Sequence, residues 1–288
     1  MHTQGIQIQE LPHLDAPLLI AGFEGWGNAL GISKAMVTYL IRKLKAERFA
    51  TINPDLFYRY DESRPLVNIE GGFLKSVKSP GGSFYAVQND PGETDLIILR
   101  ANEPNLRWAL FADALFSLCL KLDVKTFISL GSMYDNVLHS DRIISGVASS
   151  KGLVSKLKEK DVIPITYRGP SAIHSTLHSE GRKKGLQCIS LWCHCPYYLE
   201  GTTHFGLMSH LGSLLSSLGG FDLDVEEIEA SWRELNRQIQ NLIDKNPELD
   251  AMINELRKAK VQGSWASMKG SVRKGEKVIH LADFLKPR

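Results

Sequence analysis

The sequence predicts an α/β protein whose mostly parallel sheet is covered by helices on both faces and is followed by a helical hairpin. The sheet is predicted because short apolar runs alternate with segments of helical periodicity, and strand–helix repetition builds parallel sheets through right-handed crossovers. The hairpin is predicted because apolar residues after about position 222 recur at spacings of three and four, which forms a narrow seam along a helix.

Apolar runs predict five strands, at residues 18–22, 95–99, 126–131, 161–166 and 187–193. The fourth contains Pro164, which has no N–H for a β-ladder, so we expect this strand at a sheet edge. Helical periodicity predicts four helices, at residues 28–44, 104–121, 171–184 and 205–218. Residues 49–87 are rich in glycine, proline and aromatic side chains, which indicates antiparallel strands and loops inserted in the sheet.

The chain divides into three predicted regions: an α/β/α core over residues 1–222, a helical hairpin over 223–262 and a basic tail over 263–288. The hairpin seam contains Val225, Ile228, Trp232, Leu235, Ile239 and Leu242. Such a hairpin packs either on its own domain or on a neighbouring subunit. Residues 260–288 carry seven basic and two acidic side chains, which is typical of a solvated end or of a docking arm for an acidic partner.

Composition narrows the functional classes. Hydrophobic residues make up 43% of the chain and charged residues 23%, and the formal net charge of +2 gives no overall case for nucleic-acid binding. No apolar run approaches the roughly 20 residues that cross a bilayer, and the N-terminus lacks the features of a secretory signal. Four cysteines in 288 residues do not form a disulfide framework. We therefore expect a cytoplasmic protein without a membrane partner.

The segment Gly25-Trp26-Gly27-Asn28-Ala29-Leu30-Gly31 follows a predicted strand and opens a predicted helix. Glycines in this position let a backbone approach a pyrophosphate at a helix N-terminus. The spacing is Gly-x-Gly-x-x-x-Gly, however, and a bulky Trp26 stands where close approach is needed. We favour a tight strand-to-helix turn, with a nucleotide site as the alternative.

A cluster of cysteines and histidines suggests metal binding. It consists of Cys188, Cys193, His194, Cys195, His204 and His210. Alternation along a strand points Cys193 and Cys195 to one face and His194 to the other. Residues two apart on a strand lie ~6.5–7 Å apart, whereas two thiolates on one zinc need roughly 3.8 Å. We therefore predict no metal site.

A second cluster, Ser132, Asp135 and His139, contains the residue types of a serine triad. The Gly-x-Ser-x-Gly turn that exposes such a serine is absent here. Ordinary loop capping explains these residues equally well. We predict no catalytic residue and no cofactor.

Polar and aromatic side chains gather just after the predicted strands. They include Glu24, Trp26, Asn28, Glu103, Asn105, His139, Arg142, Arg168, His194 and Tyr197. The carboxyl ends of parallel strands meet at one edge of a sheet, where ligands commonly bind. These side chains therefore either line a ligand crevice at that edge or cap helices and loops.

Taken in order, several segments resemble the proteasome assembly chaperone family, in the branch with uncharacterised bacterial and archaeal proteins. The matching segments are Ala21-Gly22-Phe23-Glu24-Gly25-Trp26-Gly27-Asn28-Ala29, Arg64-Pro65, Glu103-Pro104-Asn105 with Trp108, Leu130-Gly131-Ser132, Tyr167-Arg168-Gly169-Pro170, and Leu191-Trp192-Cys193-His194-Cys195-Pro196-Tyr197-Tyr198-Leu199. Trp232 and Asn246-Pro247-Glu248-Leu249 continue the match, which runs from about residue 14 to 258.

The resemblance implies a three-layer α/β/α fold like that of the phosphorylase/hydrolase group, and a homo-oligomer of three or four subunits. It also implies a binding role, because family members in archaea and eukaryotes bind proteasome subunits without using ATP. Our first hypothesis is a non-enzymatic oligomeric binding protein that contacts itself and other proteins. The second is an enzyme, or a protein that binds a nucleotide or another small ligand, using the crevice at the strand carboxyl ends.

Overall fold

The computed structural model describes residues 2–261. The basic tail predicted for residues 263–288 lies outside the described residues. The strands of the described part are β1 (His2–Thr3), β2 (Ile6–Ile8), β3 (Leu18–Glu24), β4 (Glu47–Ile52), β5 (Leu66–Glu70), β6 (Phe73–Lys78), β7 (Gly82–Val87), β8 (Leu96–Asn102), β9 (Thr126–Asp135), β10 (Ile144–Ala148), β11 (Ile163–Pro164) and β12 (Gln187–Pro196). Its helices are α1 (Ile32–Lys43), α2 (Pro54–Phe57), α3 (Trp108–Lys121), α4 (Lys151–Lys158), α5 (Ile173–Lys183), α6 (Phe205–Gly219), α7 (Glu226–Lys245) and α8 (Pro247–Val261), with short 3₁₀ turns at Ala29–Gly31 and Tyr197–Leu199.

A ten-stranded mixed sheet forms the middle layer, in the order β1-β2-β4-β7-β8-β3-β9-β12-β10-β11. Its four central strands, β8, β3, β9 and β12, pair in parallel. Antiparallel strands extend the sheet on the β8 side, and on the other side β10 runs antiparallel to β12. The α/β fold class predicted from the sequence is confirmed. The sheet was predicted to be mostly parallel, but it is parallel only in its four central strands and between β10 and β11.

Side chains of the central strands alternate between two hydrophobic cores. Leu18 and Ile20 point to a core that contains α1 and α6, whereas Leu19 and Phe23 point to a core that contains α3 and α5. Both faces of the central strands are therefore buried, as expected for parallel strands with helices on each side. Among the helices of residues 2–261, none is both long enough and apolar enough to cross a membrane.

Several element boundaries differ from the predicted ones for local reasons. Helix α3 begins at Trp108 and not at Pro104, because Arg107 adopts a left-handed conformation with φ 55°. The Trp108 indole N–H donates to the Pro104 carbonyl at 2.6 Å, which holds the preceding turn. Strand β11 shrinks to two residues but does lie at the sheet edge, as Pro164 predicted. Strand β10 was missed because Ser145-Gly146 interrupts its apolar pattern.

The inserted segment at residues 49–87 was predicted as antiparallel strands within the sheet. Strands β4 and β7 pair antiparallel in the main sheet. Strands β5 and β6, however, form a separate two-stranded sheet between them. We call residues 66–78 the exposed hairpin, because every one of its strand residues is exposed.

The C-terminal helical hairpin packs on its own domain. Trp232 of α7 lies in a third hydrophobic cluster with Tyr198 and Leu199, which follow β12. Its ring stacks on His204 with centroids 4.8 Å apart, and the guanidinium of Arg142 lies over it at 5.8 Å. A Cβ on Gly206 would come within 2.8 Å of the Trp232 ring, so glycine is what allows this close approach.

We predict that Trp232→Ala costs about 3–5 kcal/mol of unfolding free energy, since it leaves a large cavity between α7 and the core. Chemical denaturation followed by far-UV circular dichroism measures the loss. Trp26→Ala is the matched control, because Trp26 is 65% exposed and its replacement should change stability by less than about 0.5 kcal/mol. Equal effects of the two variants would show that α7 is not anchored by Trp232.

Candidate functional site

Glu103 joins three elements at the carboxyl edge of the sheet. It directly follows β8, and one of its carboxylate oxygens accepts the backbone N–H of Trp26 at 2.9 Å. The other oxygen accepts the N–H of Ile173, the first residue of α5, at 2.8 Å. A Cβ at Gly25 would overlap the Glu103 side chain, so the turn after β3 requires glycine there. The carboxylate thus holds the β3–α1 turn and caps an otherwise unpaired helix N-terminus.

The turn after β3 uses its polar groups internally. Asn28 precedes a 3₁₀ turn in which Leu30 and Gly31 have positive φ, at 51° and 69°. The Asn28 side chain accepts the N–H of Lys34 at 3.3 Å, and the Lys34 ammonium pairs with Glu24 at 2.8 Å. This geometry matches the tight strand-to-helix turn that we favoured from the sequence.

Two predicted site residues lie apart from this turn. Asn105 accepts the N–H of Arg59 and the hydroxyl of Ser63, both at 3.1 Å, and so positions the loop before the exposed hairpin. Arg168 is exposed on the segment between β11 and α5. Neither side chain therefore belongs to the group around Glu103.

His139 and Arg142 lie in the contact between the β9–β10 loop and α7. The phenol of Tyr198 accepts the backbone N–H of His139 at 2.6 Å and lies 2.8 Å from its Nδ1. Burial lowers the pKa of His139 to about 4. Arg142 donates two hydrogen bonds to Glu229, at 2.7 and 3.0 Å, and the guanidinium lowers the pKa of that carboxyl. Both side chains hold the helical hairpin in place.

His194 lies in a polar relay that the sequence did not reveal. Its Nδ1 lies 2.8 Å from a carboxylate oxygen of Asp135, and its Nε2 lies 2.8 Å from the hydroxyl of Ser145. These three residues come from β9, β10 and β12. Because β10 was not among the predicted strands, Ser145 could not be placed beside His194 from the sequence. Asp135 was noted with Ser132 and His139, but Ser132 instead donates to the Ala29 carbonyl at 2.8 Å. The connectivity is that of an Asp–His–Ser triad.

Tyr197 extends the edge beside this relay. Its ring stacks on Tyr134 with centroids 5.0 Å apart and an angle of 17° between the planes. Burial raises the pKa of both phenols. The stacked pair leaves Tyr197 partly exposed next to the strand ends.

The cysteines occupy apolar surroundings. Cys193 and Cys195 lie in the core beneath α1 and α6, and Cys188 lies in the opposite core, as strand alternation predicts. Burial raises the pKa of the Cys188 and Cys193 thiols to about 12. Within the described part of the chain, no group of three or more metal-ligating side chains gathers.

The predicted site residues therefore divide into separate groups along one edge. One surrounds Glu103, a second contains His194 and Tyr197, and a third secures α7 through His139 and Arg142. In each group, the polar contacts connect strand ends to loops and helices. Most of these side chains therefore hold turns, loops and helices in place. Trp26 differs, because its side chain is large and exposed.

A sequence profile described as the PAC2 family matches residues 19–243, well over half of the chain. The chain belongs to the PAC2 family. The match confirms the resemblance found in the sequence. A PAC2 family protein from Streptomyces avermitilis is 26% identical to this PAC2 chain, with a TM-score of 0.73 and coverage of 82% of this chain and 99% of that one. No curated protein matches the chain.

Two further solved structures share the fold of this PAC2 protein. A Mycobacterium tuberculosis proteasome-assembly chaperone homologue is 22% identical, with a TM-score of 0.75, and covers 82% of this chain and 99% of its own. An archaeal proteasome activator from Pyrococcus furiosus is 18% identical, with a TM-score of 0.61, and covers 82% of this chain and 97% of its own. At these identities, the likeness concerns the fold.

We predict that Glu103→Ala destabilises this PAC2 protein by about 2 kcal/mol, because two backbone N–H groups lose a charged acceptor. Glu103→Gln should cost about half as much, since one amide oxygen remains. Thermal and urea unfolding measure both. Glu24→Ala is the control, because its ion pair with Lys34 is exposed and contributes at most about 1 kcal/mol. A Glu103→Ala variant as stable as wild type would remove this carboxylate from the architecture.

We also predict that stability falls as the pH drops from 6.5 towards 4. Burial lowers the pKa of His139 to about 4 and that of His204 to about 3, below the usual 6.5. The unfolded chain therefore binds more protons in this window, and each histidine costs roughly 2 kcal/mol of stability at pH 5. Urea unfolding at pH 7, 6 and 5 measures the slope.

His204→Asn tests the assignment, because Asn can still accept the N–H of Leu207 that His204 accepts at 3.2 Å. This variant should lose roughly 2 kcal/mol less between pH 7 and pH 5 than wild type does. Trp26→Ala, which removes an exposed side chain that does not titrate, should leave the slope unchanged. An unaltered slope in His204→Asn would contradict the assignment.

Proposed function

We propose that this PAC2 family member is a non-enzymatic binding protein that acts in the cytoplasm as a homo-oligomer of three or four subunits. Its partners in this proposal are other copies of itself and further proteins, and not membranes or nucleic acid. The exposed hairpin is the observation that carries the proposal. Six of its side chains are large, hydrophobic and exposed: Leu66, Val67, Ile69, Phe73, Leu74 and Val77.

The two faces of the exposed hairpin differ in polarity. Cross-strand partners share a face, and successive pairs alternate between faces. One face carries the pairs Val67 with Val77 and Ile69 with Leu74. These four side chains are 57–60% exposed. The other face is mixed, with Asn68 opposite Ser76 and charged residues near both ends. A bulge leaves Lys75 unpaired between these two aliphatic pairs. An exposed aliphatic cluster on a hairpin is typical of a protein contact surface.

Energetics support the same interpretation. A lone two-stranded hairpin is at best marginally stable in water, so a partner surface would stabilise this one. Leu66 and Phe73 add exposed apolar surface on the other face. The aliphatic face itself exposes on the order of 400 Å² of apolar surface, about half of the roughly 800 Å² that each partner buries in a standard interface. Further copies of the chain are the partner that we propose for it, because every subunit carries the same aliphatic face and three or four such faces can meet around one rotation axis.

The named relatives support a role in which the oligomer engages other proteins. One is described as a proteasome-assembly chaperone homologue and another as a proteasome activator. We extend the broader idea, protein binding without catalysis, to this chain. In this proposal, the basic residues 263–288 serve as a docking arm for an acidic partner surface.

The Asp135–His194–Ser145 relay is the observation that favours an enzyme as the second candidate. A serine nucleophile must reach its substrate from a strained, exposed turn. Ser145 instead lies within β10 and is 0% exposed, with a neighbouring strand on each side. A buried hydroxyl in mid-strand cannot attack a carbonyl group, which is why we favour binding. Under this proposal, the relay ties β9, β10 and β12 together.

We predict that the purified protein has three or four times the monomer mass of 32.1 kDa, and that Val67→Lys with Leu74→Lys reduces it to that of a monomer. Two charges on the aliphatic face would remain unpaired in an interface and should weaken association at least about 100-fold. Light scattering after size-exclusion chromatography, across a dilution series, measures the mass.

The matched control is Asn68→Lys with Ser76→Lys, which adds the same charge to the same strands on the mixed face. This variant should keep the wild-type mass. A monomeric wild-type protein would overturn the oligomer itself. An oligomer that survives the aliphatic-face substitutions would instead place its interface elsewhere.

A further inference from the structure

A cleft between α5 and the β10–β12 pair is separate from the residues at the strand carboxyl ends. Val147, Ser190 and Trp192 form its floor on the sheet, and α5 forms one wall. Its volume is about 280 Å³. This is just below the roughly 300–1,000 Å³ of typical ligand clefts, so a small molecule is the appropriate occupant.

Residues four apart on α5 present three nitrogen-bearing side chains along this wall: His174, His178 and Arg182. Spacings of four place side chains on one face of a helix, and eight residues span on the order of 12 Å. The cleft is therefore elongated, with His174 beside Trp192 at one end and Arg182 at the other. The His174 and Trp192 ring centroids are 4.8 Å apart.

His174 has a buried nitrogen without a partner. The side chain is 1% exposed, and its Nε2 lies 2.8 Å from the carbonyl oxygen of Leu130. A carbonyl only accepts, so Nε2 carries the proton and Nδ1 is the acceptor of the neutral ring. Burial lowers the pKa of His174, which keeps the ring neutral. Within the part of the chain with described side chains, Nδ1 has no hydrogen-bond partner. Less than 1 Å² of Nδ1 is accessible, so the His174 ring shapes one end of the cleft without offering this nitrogen to a ligand.

The middle of the cleft is also polar. The hydroxyl of Ser190 lies 2.8 Å from that of Ser129 and 3.4 Å from Nδ1 of His178. Burial lowers the pKa of His178, and the charge of Arg182 lowers it further. A neutral imidazole and a hydroxyl at this position can exchange hydrogen bonds with hydroxyl groups of a ligand.

Arg182 supplies positive charge at the far end. It is exposed, and among residues 4–257 no carboxylate forms an ion pair with it. The adjacent cations are neutralised, because Lys183 pairs with Glu180 at 2.6 Å and Lys184 pairs with Asp113 at 2.8 Å. A guanidinium is the side chain best suited to a carboxylate or a phosphate.

We propose that this cleft binds a small elongated anion, whose phosphate or carboxylate pairs with Arg182 and whose other end lies beside His174 and Trp192. Hydroxyl groups between the two ends contact His178 and Ser190. A nucleoside monophosphate and a sugar phosphate both have this construction. The site is independent of the exposed hairpin, so it stands whether or not the chain forms an oligomer.

Isothermal titration calorimetry and thermal shift with four probes test the proposal. The probes are adenosine monophosphate, ribose 5-phosphate, adenosine and inorganic phosphate, each with the full-length protein. At least one of the two elongated anions should bind and raise the melting temperature by 2 °C or more. Adenosine and phosphate, which each lack one end of the required ligand, should bind at least about tenfold more weakly.

Arg182→Ala is the decisive variant, because the residue is exposed and the protein should fold normally. It should weaken binding of the elongated anion at least tenfold. Lys183→Ala removes the same charge one residue away, outside the cleft, and should change affinity less than twofold.

Several results would overturn the site. One is the absence of binding by both elongated anions. Another is binding that Arg182→Ala leaves unchanged. Equal affinity for inorganic phosphate and for the elongated anions would show general attraction to charge and would also contradict the proposal.

Discussion

The carboxylate of Glu103 is the contact on which the site architecture depends. It follows the second central strand, and its two oxygens accept backbone N–H groups from the β3–α1 turn and from the start of α5. The parallel sheet places β3 and β8 side by side, so a single side chain at the end of one strand can fix the turn that leaves the other. Through its hydrogen bond with Ile173, the same carboxylate also fixes the start of α5. It thereby positions the cleft wall that carries His174, His178 and Arg182.

The middle of this fold follows from hydrophobic patterning. Uninterrupted apolar runs identified β3, β8, β9 and β12, because strands buried on both faces lack polar alternation. Strand alternation also placed Cys193 and Cys195 opposite Cys188. Patterning failed where strands are short or contain small polar residues. Ser145-Gly146 concealed β10, and the exposed hairpin, which was expected within the insertion in the main sheet, forms a separate two-stranded sheet.

The site was harder to predict than the fold, for a physical reason. Position after a strand points to polar residues near one edge of the sheet, but it does not say which of their polar atoms form hydrogen bonds within the protein. Glu103 and His139 turned out to hold backbone and loops. The partners of His194 come from strands distant in sequence, so no local motif could indicate the relay. His174, His178 and Arg182 lie at a spacing of four within a predicted helix. That they line a cleft depends on the uncovered surface of β10 and β12 beside the helix, which the sequence does not predict.

The exposed hairpin has a consequence for the life of the newly made chain. If the proposed assembly forms, a subunit that has not met its partners displays two strands with exposed aliphatic side chains, which are a template for non-native strand pairing and an accessible substrate for proteases. Assembly would remove both liabilities at once. The abundance of the protein would then depend on how quickly subunits meet, and orphan copies would be cleared before they accumulate.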